Sequence, residues 1–455
     1  MNSKALRASS LFFVAAATAL AACSPGANSP TRPPLAEKWM VRAKAAYKSG
    51  DFEDAKASTE ETLRLLPHDE EARVLAGRIA LAKLDFALAL RVTEGIPTSE
   101  AAGIRGRAHW YAGDIEQAAD ELEAMLQDPA VKDPWARDIA RLARKGTGKH
   151  PFAMEGGVVA PVDMPPAGSA LIVPLELEGE RVLAMVATGS AEVVIDSASG
   201  REPSWVTLRF GDRIEVRDVP ALAQDLSNIS RQVNAPIKAL LGVNLLRHIH
   251  ATFDRRGGQF VVRLTDPPSP PDASRIPLYY VRGGGMVMPG QLATGEAGKG
   301  MFFVDTTQPF YVALDDLGFK RAGIDPKTLV AAAGMANAKA ARLNTFRMGG
   351  IDLPGVPALS LGPLAEITPG FDVDLGGIYG AALLEAFRIT FADQGRFAWL
   401  EPDPAVLPEP PPPNAPPDAP PATTAPPPAP TYTPASVKPG ASTPPPPAPL
   451  TGKPK

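Results

Sequence analysis

The pattern of apolar and polar positions changes along the chain. From about Leu35 to Gly148 the apolar positions recur every three to four residues, and alanine and glycine fill many of them, which predicts closely packed helices. From about Ala153 the period drops to two, punctuated by Gly, Pro and Asp, and this predicts strands. Leu171–Leu177, a turn at Glu178-Gly179-Glu180, and Val182–Val186 form a predicted hairpin that feeds a buried strand. Past Pro402 the sequence is rich in proline, with Tyr432 its one aromatic residue. No core can form there, so the tail is predicted to be disordered with polyproline II character.

The helical stretch repeats itself. Trp39, Ala43, Gly50, Asp51-Phe52, Ala55 and Pro67 are followed, 34 residues on, by Gly77, Asp85-Phe86 and Ala89. After a shortened unit ending near Pro97, a third copy has Gly106, Gly113-Asp114-Ile115, Ala118 and Pro129. This spacing resembles the tetratricopeptide repeat, in which small residues let paired antiparallel helices approach and a peptide or protein is the usual ligand. The amphipathic segment Trp135–Lys145 is expected to cap the stack. His109-Trp110-Tyr111 is expected to pack between neighbouring helices.

Composition narrows the function. The chain has 455 residues, 21% of them charged, with a net charge of −4, so it offers no basic field for nucleic acid. Only one cysteine and five histidines are present, which excludes internal disulfides and leaves little for a metal centre; no cofactor is expected. His248 and His250 fall two apart on an expected strand, and a pair alone makes a poor metal site. The cysteine, Cys23, ends a leader with Lys4 and Arg7 followed by the apolar run Leu11–Leu20, too short for a permanent span of about 20 residues. Leu20-Ala21-Ala22-Cys23 resembles the lipobox of bacterial lipoproteins. That resemblance implies cleavage before Cys23, its acylation, and a lipid tether in the cell envelope; Ser24 points to the outer membrane, facing the periplasm.

The strand region carries a duplicated pattern. Its first half has Met185-Val186-Ala187-Thr188-Gly189-Ser190, a hairpin around Phe210-Gly211-Asp212, Val219-Pro220-Ala221-Leu222, and Leu240-Leu241-Gly242. In the second half stand Val304-Asp305-Thr306-Thr307-Gln308, Val356-Pro357-Ala358-Leu359, and Ile378-Tyr379-Gly380. These landmarks resemble the pepsin and retroviral-type aspartic proteinases, where each lobe supplies an Asp-Thr/Ser-Gly loop and a flap hairpin follows it. The expected fold is multidomain: an all-α tetratricopeptide-like array, an all-β two-lobed barrel of aspartic-proteinase type, and a disordered tail. The expected boundaries are signal peptide 1–22, lipidated spacer 23–34, repeats 35–148, lobes 153–266 and 276–402, and tail 403–455.

The motif residues bear on chemistry. Such an enzyme needs two carboxyls sharing a proton, one activating water and one donating to the carbonyl. Ala187 stands where the first acid belongs, and a methyl group moves no proton. Asp305 is retained, but Thr307 replaces glycine and is expected to disturb the loop. Asp305 alone can act as a base but lacks a neutral acid partner. The expectation is a peptide- or protein-binding scaffold with a silent site, its ligand touching Thr188, Gly189, Ser190, Thr306 and Thr307. The alternatives are an active peptidase, working as a dimer of Asp305 loops or with Asp196 assisting, and a structural envelope lipoprotein. The sequence leaves the oligomeric state open.

Overall fold

The computed structural model describes residues 32–403 apart from 256, 282–283, 333–337 and 365–370. The leader, Cys23, most of the spacer and nearly all of the Pro-rich tail lie outside the described residues.

Seven α-helices open the described chain: α1 (Pro34–Lys48), α2 (Phe52–Leu65), α3 (Glu70–Ala82), α4 (Phe86–Thr93), α5 (Ser99–Ala112), α6 (Ile115–Leu126) and α7 (Pro134–Arg144). Side-chain oxygens start several of them. Asp51, Asp69, Asp85, Thr98 and Asp133 each accept from a backbone amide three residues on, satisfying a donor that the first turn leaves free. Gly106 shows why the repeat needs small residues: a Cβ added there would stand 2.7 Å from Leu122 Cδ2 of α6.

The remaining described chain is mostly β, in sheets of seven, six and ten strands. Two of these share one plan. In the first, the strand Glu180–Val186 runs parallel to Ile237–Leu241, which pairs antiparallel with Val193–Asp196, itself parallel to Ile214–Gln224. In the second, Lys299–Asp305, Leu375–Gly380, Val312–Leu314 and Pro357–Ser360 pair in the same order and sense. Even the register shifts correspond, at Leu183/Ala184 and at Met301/Phe302.

The expected fold class requires correction. The β region is not all-β, since short helices at Ser227–Gln232, Val243–His248, Asp316–Arg321 and Ala381–Leu384 interrupt it. Nor does it divide into two barrel lobes. Both halves contribute strands to the six-stranded sheet, where Phe387–Ala392 pairs with Thr252–Asp254 and the Thr252 and Thr390 hydroxyls meet at 2.9 Å. One apolar core runs through both halves, from Val173 and Phe210 to Phe302, Phe346 and Phe391.

The helices are not a separate array either. Met40, Phe52 and Ile79 share a core with Tyr279, Val287 and Met301. Tyr47 Oη donates to Asp372 at 2.9 Å and the Asp374 amide donates to the Lys48 carbonyl. The expected capping segment α7 is covered by the β region: Trp205 Nε1 donates to the Leu142 carbonyl at 2.9 Å. Short interhelical turns set the helix order, but burial of their outer apolar faces decides where the stack sits.

Two further expectations change. His248 and His250 are not on a strand: His248 ends the helix Val243–His248 and stacks on Phe152, with ring centroids 4.2 Å apart, and His250 pairs with Asp266. The hairpin expected to serve as a flap is part of the sheet wall. Arg209 pairs level with Glu176, and Glu176 with Arg181, so the hairpin tip lies at the end of the sheet away from Ala187.

Candidate functional site

Each of the two related strands ends in a loop, and the loops meet. Thr188 Oγ1 donates to the Val304 carbonyl at 2.9 Å and accepts from the Thr306 amide at 3.1 Å. Reciprocally, Thr306 Oγ1 donates to the Val186 carbonyl at 2.8 Å and accepts from the Thr188 amide at 3.1 Å. Both threonines are buried, so this four-bond exchange occurs away from competing water.

Each loop is held from behind by the first residue of a short helix that follows a strand of its own sheet. The Val243 amide donates to the Ser190 carbonyl, and the Ala381 amide to the Gln308 carbonyl. Glycine is required at both contacts for close approach. A Cβ on Gly242 would fall 2.2 Å from the Glu192 carbonyl oxygen, and one on Gly380 would fall 2.1 Å from that of Phe310.

Within this shared frame the chemistry differs. Ala187 is buried in an apolar cluster with Ile172, Met185, Val194, Leu226 and Leu240. Asp305 is part-buried, and its Oδ1 accepts from the Thr307 amide at 3.0 Å and the Thr307 hydroxyl at 2.6 Å. Gln308 Nε2 donates to Oδ2 at 3.2 Å. Thr307 therefore does not disturb the loop as expected. Its backbone stays outside the positive-φ region, and its hydroxyl adds a bond to the carboxylate.

Gly189 keeps its place for space: an added Cβ would stand 2.9 Å from the Asp305 carboxyl carbon. Ser190 does not reach the carboxylate, since its hydroxyl donates to the Glu192 carbonyl at 2.8 Å. Asp196, expected as an assisting carboxylate in one reading, is engaged elsewhere. It lies at the far end of its strand from the loop, buried, with Lys238 Nζ at 2.8 Å and the Ala198 and Leu226 amides as donors. Burial pushes its carboxyl up, and Lys238 with these amides outweighs burial, so the net displacement is downward.

Sequence reasoning missed the support behind the Ala187 loop. Glu192 is buried and accepts from Trp110 Nε1 of α5 at 3.0 Å and from Asn244 Nδ2 at 3.3 Å. Burial pushes its carboxyl above the ordinary range, against the pull of these donors. Arg247, also buried, donates to Asn244 Oδ1 and to the Tyr111 carbonyl, and burial lowers it to about 10. The signal was present as a polar residue inside apolar surroundings, Glu192 before Val193-Val194-Ile195, but its partner lies 82 positions away.

A separate cleft of about 500 Å³ lies on α4–α6, lined by Leu90, Arg91, Glu94, Arg105, His109 and Glu121. Its principal charges are already paired, Arg105 with Glu121 at 2.7 and 2.8 Å. Among the described residues no group of three or more His, Cys, Asp or Glu side chains could hold a metal, and no helix is long and apolar enough to cross a membrane. No family model matches the chain, and comparison with curated proteins returns no match.

Proposed function

We propose that this is a lipid-tethered envelope protein that holds an extended peptide or protein segment at the junction of the Ala187 and Asp305 loops and does not cleave it. One observation carries the reading: the reciprocal Thr188–Thr306 exchange sets the loops face to face with a carboxylate on one side and a methyl group on the other. Peptide-bond hydrolysis by paired carboxyls requires both halves of the proton exchange. A dimer of Asp305 loops is disfavoured, because Thr306 already donates its amide to Thr188 Oγ1 and its hydroxyl to the Val186 carbonyl, and accepts from the Thr188 amide, all within its own chain.

The purified chain is expected to bind fluorescent extended peptides, measured by anisotropy, and to leave quenched peptide substrates intact between acid and neutral pH. Cleavage that disappears in Asp305→Ala would overturn the reading. Absence of any peptide binding would leave the structural role as the better account. For the tether, labelling with a radioactive fatty acid is expected in the unaltered chain and lost in Cys23→Ser.

A further inference from the structure

The loss of one acid changes what the remaining one can recognise. A carboxylate offers about four acceptor positions, and three on Asp305 are taken, two on Oδ1 and one on Oδ2. All three donors, the Thr307 amide, the Thr307 hydroxyl and the Gln308 side-chain amide, are neutral. They orient the charge; among the described residues no ion pair reaches it, and one acceptor position on Oδ2 takes no donor.

The surroundings favour a cationic ligand over a neutral one. Ala187, in the loop that meets the Asp305 loop, is buried in an apolar cluster and offers no polar group, and Phe303 and Phe310 pack in an apolar group beside the Asp305 strand. A negative charge set against such surfaces is less screened than one in open water, so a ligand cation gains more from meeting it. The acceptor positions left on the carboxylate choose among cations. A guanidinium binds a carboxylate best with two parallel bonds to both oxygens, and Oδ1 is already saturated. An ammonium is a compact point charge that needs one open acceptor. The close approach of the Gly189 backbone to the carboxyl also favours a slender group.

We infer that Asp305 is the specificity residue of the loop junction and captures a primary ammonium, either a lysine side chain or the amino terminus of the bound peptide. This rests on the peptide-binding reading above and adds the class of ligand to it.

The test compares short extended apolar peptides that differ at one place: blocked at both ends with a central lysine, arginine, norleucine or glutamate, and a norleucine peptide with a free amino terminus. Each is titrated by anisotropy into the unaltered chain and into Asp305→Asn, which keeps the side-chain shape. At least one ammonium peptide is expected to bind about tenfold tighter than blocked norleucine, as for one hydrogen bond to a charged group. Arginine is expected to gain less and glutamate to bind weakest. The advantage is expected to vanish in Asp305→Asn and, in the unaltered chain, to shrink between about 50 and about 500 mM salt. Preference for the lysine peptide assigns a side chain, and preference for the free terminus assigns a chain end. If blocked norleucine binds as well as both ammonium peptides, the inference falls while peptide binding stands. If no peptide binds, both fall.

Discussion

The two loops occupy matching positions in matching sheets, yet they are secured differently. Glu192, at the end of the first, sends its carboxylate into the helical region to meet Trp110 Nε1. Phe310, in the corresponding place on the second, packs among apolar neighbours of its own β unit. The first loop carries an alanine and an anchor, whereas the second carries an acid, dressed by Thr307 and Gln308. The comparison teaches that the backbone of such a loop is fixed by the amide and carbonyl bonds common to both, and that the side chains are free to diverge once that frame exists.

The strongest way to break this comparison is to remove what the loops share. Thr188→Val combined with Thr306→Val leaves four buried backbone groups without partners and is expected to lower unfolding free energy by about 5 kcal/mol in a urea titration. A loss below about 1 kcal/mol would mean that the six-stranded sheet alone holds the halves together.

Removing the anchor peculiar to the first loop comes next. Glu192→Ala is expected to cost about 3 kcal/mol, because Trp110 and Asn244 lose their acceptor and Arg247 loses a nearby compensating charge. The pH dependence has a definite sign. Burial raises this carboxyl in the folded state, so folding takes up a proton, and its unfavourable contribution grows as pH rises above the ordinary value of 4.5. Glu192→Gln is expected to flatten that part of the stability-against-pH curve, and an unchanged slope would refute the assignment.

A smaller effect is expected from making the loops alike. Ala187→Asp puts a carboxyl into an apolar cluster and is expected to lower stability by about 2 kcal/mol at neutral pH. The deficit should shrink as the solution is acidified and the introduced group takes a proton. A substitution that is neutral at every pH would show that the vacant place is wet and roomy, contrary to its burial.

Much was legible in the chain itself, for local reasons. The Asp-Phe and Gly-Asp turns mark the helix pairs because a small residue eases the turn and an aspartate can cap the next helix; Asp51 and Asp85 do cap α2 and α4, while Asp114 starts α6 without a side-chain cap. The hairpin about Glu178-Gly179 follows from alternation and from a turn whose two central residues both have positive φ. The motif residues were picked out by their duplication along the chain. Glu192, Arg247 and Trp205 were not, since a residue's burial against a partner far along the chain leaves no periodic trace.

What the sequence determined by itself is the inventory: capped helices, alternating strands, and a repeated strand pattern with Ala187 in one copy and Asp305 in the other. What only the tertiary structure decided is how these parts are joined. The helices and the β halves became one packed body because their outer faces are apolar and had to be covered. Thr307 proved compatible with its loop because its hydroxyl found Asp305, and Gly189 proved necessary because a carboxylate lies over it. Periodicity reports which face of an element is buried; which surface buries it depends on distances between residues far apart along the chain.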